Sequence, residues 1–146
     1  MPLIRPAHSP DLDRILQIWL HASIQAHGFI PAHFWQAQLH NMRELYLPMA
    51  NNYVIEQNAV VMGFISILST EQCIAALFIA PEFQGQGFGS RLLGFAQQQS
   101  NRLNLQVYTK NEHAMQFYLH HGFRIVSQSM DEHTQQSQAD LQWFAP

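Results

Sequence analysis

The chain has 146 residues, is 47% hydrophobic and 12% aromatic, and carries only 12% charged residues, about half the usual charged share. At this length one core buries roughly two-thirds of the surface the unfolded chain exposes, so a single domain spanning residues 1–146 needs neither a disulfide framework nor a structural metal. The formal net charge is −3 with seven Lys plus Arg, Lys110 being the sole lysine; no basic patch is available to track a nucleic-acid backbone. The lone cysteine, Cys73, excludes an internal disulfide and a cysteine-based zinc site.

Residues 1–13 lack the charged and apolar regions of a secretory signal. The longest apolar runs, 60–68 and 75–81, fall far short of the roughly 20 residues of a spanning helix. A cytoplasmic protein off the membrane is expected. Residues 3–7 read as a strand, and Ser9-Pro10-Asp11 as a helix start with Ser9 at the N-cap. Leu12, Ile15, Leu16, Trp19 and Leu20 then recur on one face of a 3.6-residue period. His27-Gly28-Phe29-Ile30-Pro31 breaks that pattern, and a second helical stretch runs through Phe34, Trp35, Leu39, Met42 and Tyr46 until Pro48.

Residues 53–56, 60–69 and 73–80 are apolar and partly β-branched, as in an antiparallel meander. A glycine-bearing loop at 81–89 leads into a helix at 90–99 with Leu92, Leu93 and Ala96 on one side, and residues 103–109 alternate as a strand does. A short helix at 111–121 closes at Gly122. Two final strands, 123–129 and 141–144, flank a polar loop at 131–140.

The first chemical signal is the run Leu77-Phe78-Ile79-Ala80-Pro81-Glu82-Phe83-Gln84-Gly85-Gln86-Gly87-Phe88-Gly89-Ser90, a buried strand feeding three glycines and then a helix. Without Cβ atoms, successive backbone N–H groups can face one anion, and the helix N-terminus adds partial positive charge. A pyrophosphate suits such a cradle; a plain chain-reversing turn is the alternative. A dinucleotide fingerprint needs glycine where Ser90 stands, and the strand at 103–109 ends in Lys110 instead of a ribose-binding acid. A phosphate loop of the Gly-Lys-Ser/Thr type is absent. What remains is Q-x-x-G-x-G, filled by Gln84, Gly87 and Gly89.

This segment, with its preceding strand and proline, resembles the acyl-CoA-binding motif of the GNAT superfamily of N-acetyltransferases. Asn111-x-x-Ala114-x-x-Phe117-Tyr118-x-x-x-Gly122-Phe123 resembles the motif that follows it in that family, one helix and one strand later. His27-Gly28-Phe29-Ile30 is similar to the small stand-alone bacterial members. The resemblance covers essentially the whole chain. It implies an α/β (α+β) fold: a mostly antiparallel sheet of six to seven strands, splayed at the cofactor site and flanked by about four helices.

The implied activity moves an acetyl group directly from acetyl-CoA, the co-substrate, to a primary amine in a ternary complex. The amine would be a small molecule, a peptide N-terminus or a protein lysine. By resemblance the pantetheine arm adds to the edge of residues 76–80, contacting Leu77, Phe78 and Ile79, with the Ile79 N–H or its neighbour facing the thioester carbonyl. The amides of Gln84, Gly85, Gln86, Gly87, Phe88, Gly89 and Ser90 would hold the pyrophosphate. Asn111 would contact CoA, cap its helix, or do both.

Acetyl transfer needs a neutral amine, a stabilised oxyanion and a proton for the departing thiolate. Tyr118, protonated at neutral pH, is the candidate general acid; packing on its helix is the plainer role. The base stays open among Glu56, Glu71, His27 and a water chain. Cys73, at the start of a buried strand, reads as a small core residue and not as an acetyl carrier. His33 with His40, and His113 with His120, are each seven apart, about 10 Å along a helix, too far to share one ion. No metal is expected.

His27 and Phe29 are expected to line the acceptor pocket, and Asp131-Glu132-His133 offers an acidic patch for a cationic amine or a solvated loop. A non-catalytic acyl-CoA-binding or sensing module is the competing class. Tyr118, placed where the chemistry requires an acid, argues against it.

Overall fold

In the computed structural model, which describes residues 1–146, seven strands form one sheet in the order β1-β2-β3-β4-β5-β7-β6. The strands are β1 (Leu3–Pro6), β2 (Asn51–Gln57), β3 (Val60–Leu68), β4 (Cys73–Ile79), β5 (Arg102–Tyr108), β6 (Arg124–Asp131) and β7 (Gln136–Phe144). Every neighbouring pair is antiparallel except β4 with β5, which are parallel. Asn58 and Ala59, both at positive φ, close the β2–β3 hairpin, the backbone a two-residue turn needs to match strand twist.

Helix α1 (Leu12–Ala26) and α2 (Ala32–Ala37) precede α3, built in succession from Leu39–Asn41, a π turn at Met42–Tyr46, and Leu47–Met49. Helix α4 (Phe88–Gln98) follows the glycine loop and α5 (Glu112–His120) follows β5. Successive strand residues point to opposite faces, so Val54 and Phe64 join one core with Ile15, Ile18 and Trp19 of α1. Ile55 and Ile65 join the other, with Leu92 and Leu93 of α4 and with Tyr118 of α5. Helices thus cover the sheet from both sides.

Three local expectations are corrected. Ser9 lies inside a 3-10 turn, Ser9–Asp11, whose N-cap is His8; Asp11 is the organising residue, accepting from the His8 N–H and from Arg5 at 2.8 Å each. The second helical stretch does not stop at Pro48 but runs on to Met49, the proline lying just beyond the π turn at Met42–Tyr46. The polar loop expected at 131–140 is mostly strand: β6 reaches Asp131 and β7 starts at Gln136. Gln135, at φ 60, reverses the chain between them. Only Ala139 and Leu141 of β7 are fully buried, so the strand carried little apolar alternation to find.

The feature that positions the site is the single bridge between β4 and β5, Cys73↔Asn104. Beyond it the strands diverge, because β4 runs on beside β3 while β5 follows β7. A wedge opens in the middle of the sheet.

Candidate active site

A cleft of about 680 Å³ fills the wedge, lined by the end of β4, the glycine loop, the start of α4, the N-terminal part of α5 and the last turn of α1. The Ala80 N–H donates to the Met62 carbonyl oxygen at 2.8 Å, and Gly63 pairs with Ile79. In an antiparallel ladder that bond marks Gly63↔Ile79 as a non-hydrogen-bonded pair, so the N–H and C=O of Ile79 point away from β3. The alternation repeats at Leu77, opposite Ile65. Two peptide groups of β4 therefore face the wedge, where β5 has already left. The Gln84 Nε2 amide donates to the Ile79 carbonyl oxygen at 3.0 Å, tying the glycine loop back to this edge.

Gly85 and Gly87 have φ of +77° and +87°, and a Cβ built on either would meet nothing within 4 Å. Glycine is demanded there by backbone conformation, not by crowding, and the space it opens is the cleft. Gly87 is the N-cap of α4. The first N–H groups of that helix have no intrahelical acceptor, and Phe88, Gly89 and Ser90 line the cleft. A left-handed glycine turn running into free helix N–H groups is a fitting cradle for a pyrophosphate.

Opposite the loop, α5 is anchored by Asn111, whose Oδ1 accepts from the Ala114 N–H at 3.2 Å. Tyr118, two turns on, is 9% exposed and lines the cleft. Its hydroxyl has no hydrogen-bond partner in the protein, and burial pushes its pKa above the ordinary phenol value. The group is a protonated donor at neutral pH.

Leu77, Phe78, Ile79, Gln84, Gly85, Gly87, Phe88, Gly89, Ser90, Asn111 and Tyr118 all come together on this cleft. Gln86 is exposed and its side chain lies outside the lining. His27 and Phe29 also stand outside it. His27, only 6% exposed, is wall structure: its Nδ1–H donates to the Ser23 carbonyl oxygen at 2.9 Å, and its ring stacks on Trp35 at 4.9 Å. Because a carbonyl only accepts, Nδ1 carries the proton and Nε2 is left to accept from Asn111 Nδ2 at 3.3 Å. Burial lowers the His27 pKa, against the opposing effect of the Ser23 bond, so the ring is neutral.

Phe29 is half-buried and meets Tyr108 edge-on at 5.7 Å. The Tyr108 hydroxyl donates to Asp131 at 2.6 Å, and burial together with that carboxylate pushes its pKa up to about 12. For Asp131 burial acts upward but is outweighed by the Tyr108 and His133 N–H bonds, and its carboxyl sits below the usual range. Of the acidic patch, Asp131 is thus committed to holding Tyr108.

The candidate bases do not reach the cleft. Glu56 is paired with Arg5 at 3.1 Å on the β1–β2 side, Glu71 is exposed in the β3–β4 turn, and His27 is sealed. Ala22, Gln25, Ala26, Phe83, Lys110, Glu112, His113, Ala114 and Phe117 line the cleft without having been singled out for it. The three- and four-residue spacing of Ala22, Gln25 and Ala26 marks one helix face, but nothing local says which wall it meets.

Comparison with known proteins agrees with this architecture. Residues 48–125 match the family model of the acetyltransferase (GNAT) domain. The chain is 36% identical over 141 residues to the peptidyl-lysine N-acetyltransferase YiaC of Escherichia coli K12, covering 97% of this chain and 96% of that protein. It is 28% identical over 127 residues to the peptidyl-lysine N-acetyltransferase YjaB of the same organism, covering 86% and 84%. The solution structure of apo YjaB from Escherichia coli superposes with a TM-score of 0.86 at 25% identity, covering 100% of this chain and 99% of that one. An N-acetyltransferase from Thermoplasma acidophilum, solved in complex with coenzyme A, shares the fold with a TM-score of 0.84 at 15% identity, covering 99% of each chain. With its seven-stranded sheet opened at β4 and β5 and its glycine loop leading into a helix, the chain belongs to the GNAT family of acetyltransferases and is an N-acetyltransferase.

Proposed function

We propose that the protein transfers an acetyl group from acetyl-CoA directly to the side-chain amine of a lysine in a peptide or protein. The observation that carries this reading is the convergence of three groups on one cleft: the outward peptide groups of Leu77 and Ile79, the glycine cradle, and the unpartnered hydroxyl of Tyr118. The lysine acceptor is suggested by the names of the two similar Escherichia coli enzymes.

In this reading the amides from Gln84 to Ser90 hold the pyrophosphate and the exposed β4 edge pairs with the pantetheine arm. The Ile79 N–H stabilises the oxyanion as the amine adds to the thioester carbonyl. Tyr118 donates its proton to the departing sulfur, a role its raised pKa preserves beyond the pH at which an ordinary phenol ionises. Of the candidate bases named from the sequence, Glu56, Glu71 and His27 stand away from the cleft, and the water chain is the one that takes the amine's proton in this reading. Asn111 orients α5 at the cleft, capping it through Oδ1 and tying it to His27 through Nδ2. Phe29 and Tyr108 supply aromatic surface for the acceptor's aliphatic stem and ammonium.

Calorimetric titration with acetyl-CoA, with NAD as control, tests the binding half: one saturable site for acetyl-CoA and none for NAD is expected. Tyr118→Phe tests the chemical half. It should leave acetyl-CoA affinity within a few-fold and lower kcat at least about tenfold, a positioned acid typically contributing on the order of 10² to 10⁴ in rate. Unchanged turnover would remove Tyr118 from the reaction.

A further inference from the structure

Lys110 is the sole lysine among 146 residues, and it lines the cleft. It lies one residue beyond β5, after Thr109, and immediately precedes Asn111, the N-cap of α5, so its backbone is held from both sides. Its side chain is exposed and forms no salt bridge or hydrogen bond with the rest of the protein. What holds Nζ is the face of Phe29, 5.7 Å from the ring centroid, a cation–π contact of modest strength at an exposed site. The chain thus carries one lysine of its own on the cleft that Ile79 and Tyr118 also line.

We infer that Lys110 is a self-acetylation site, its Nζ accepting the acetyl group within its own cleft. This rests on the transferase reading above. Nζ first releases a proton to solvent and adds as the free amine to the thioester carbonyl carbon. The N–C bond forms, the C–S bond breaks, and the sulfur leaves with the proton of Tyr118. The nitrogen sheds a second proton as the amide forms, and Tyr118 is reprotonated from solvent. The products are acetyl-Lys110, free CoA and one proton. Acetyl-Lys110 has no charge, so the Phe29 face is released for the ammonium of an external lysine.

The test incubates the full chain with acetyl-CoA and follows intact mass and peptide mapping. The same solution is titrated calorimetrically with acetyl-CoA and assayed with a blocked peptide carrying one lysine. Expected is the gain of one acetyl group at Lys110, at a rate per molecule independent of protein concentration. The gain should vanish in Lys110→Arg and slow at least tenfold in Tyr118→Phe. Acetyl-CoA binding and peptide acetylation without modification of Lys110 would overturn the inference and leave the transferase reading standing. So would acetylation confined to the Met1 amine, a rate that grows with protein concentration, or equal rates in Tyr118→Phe and the parent, which marks spontaneous chemistry. Failure to bind acetyl-CoA at all would overturn the transferase reading itself, and the inference with it.

Discussion

Asn111 uses both ends of its amide inside the protein: Oδ1 caps α5 and Nδ2 donates to His27, 84 residues earlier in the chain. The cap was legible from an Asn preceding a helical run; the histidine partner was not, because no local pattern links the end of α1 to the start of α5. His27 read as pocket lining from its aromatic neighbours, and those same neighbours bury it. Protonation would turn Nε2 into a donor facing the Asn111 amide, so the link exists only with neutral His27. The sign of the pH effect follows. The native pKa lies below the unfolded value, so stability is full above about pH 6.5 and falls as pH drops through that value toward the native one. Thermal unfolding at about pH 7.5 and about pH 5.5 should show a drop in the parent and a smaller drop in His27→Leu. Equal drops would assign the pH dependence to other groups.

At the scale of elements, the glycine loop was the most readable part of the site because its demands are local. Gly87, at φ +87° as the cap of α4, must be in the left-handed region for the helix N–H groups to face the cleft. Gly87→Val adds a β-branched side chain to that backbone, at a strain of about 1–3 kcal/mol, and places its bulk in the open space of the cradle. Acetyl-CoA affinity is expected to fall at least about tenfold, the equivalent of roughly 1.4 kcal/mol, while circular dichroism shows the fold retained. Unchanged affinity would mean that the loop only turns the chain. Strand β7 shows the opposite case. Its residues pair with β5 over seven positions, Arg102↔Phe144 to Tyr108↔Gln138, yet Gln136 and Gln138 gave its first half the look of a loop, and only residues 141–144 read as strand. Position between two partner strands, not hydrophobic alternation, makes it a strand.

For the molecule as a whole, the site depends on how tightly β3 and β4 pack just before the wedge. A Cβ at Gly63 would collide with Ile79 Cδ1 and stand 2.7 Å from the Phe78 carbonyl oxygen, and the second of these is backbone that cannot step aside. Gly63→Ala is therefore expected to cost about 1–3 kcal/mol, the usual range for overpacking, and to lower kcat by shifting the Ile79 peptide. Denaturant unfolding with steady-state kinetics checks both; full stability and full activity together would show that the β4 edge can move without consequence.

What the sequence by itself determined are the features that neighbouring residues settle among themselves. These are the left-handed glycines before α4, the Asn111 cap, the helical periodicity of α1 and the strand character of β2, β3 and β4. Turn conformation, capping and amphipathic period are short-range properties, and they carried the family resemblance. Only the tertiary structure decided that β4 and β5 touch at the one pair Cys73↔Asn104, that His27 is joined to Asn111, and that Lys110 meets Phe29. Each of these joins segments far apart in the chain, and each is fixed by how two helical layers and a splayed sheet pack together, which no local pattern encodes.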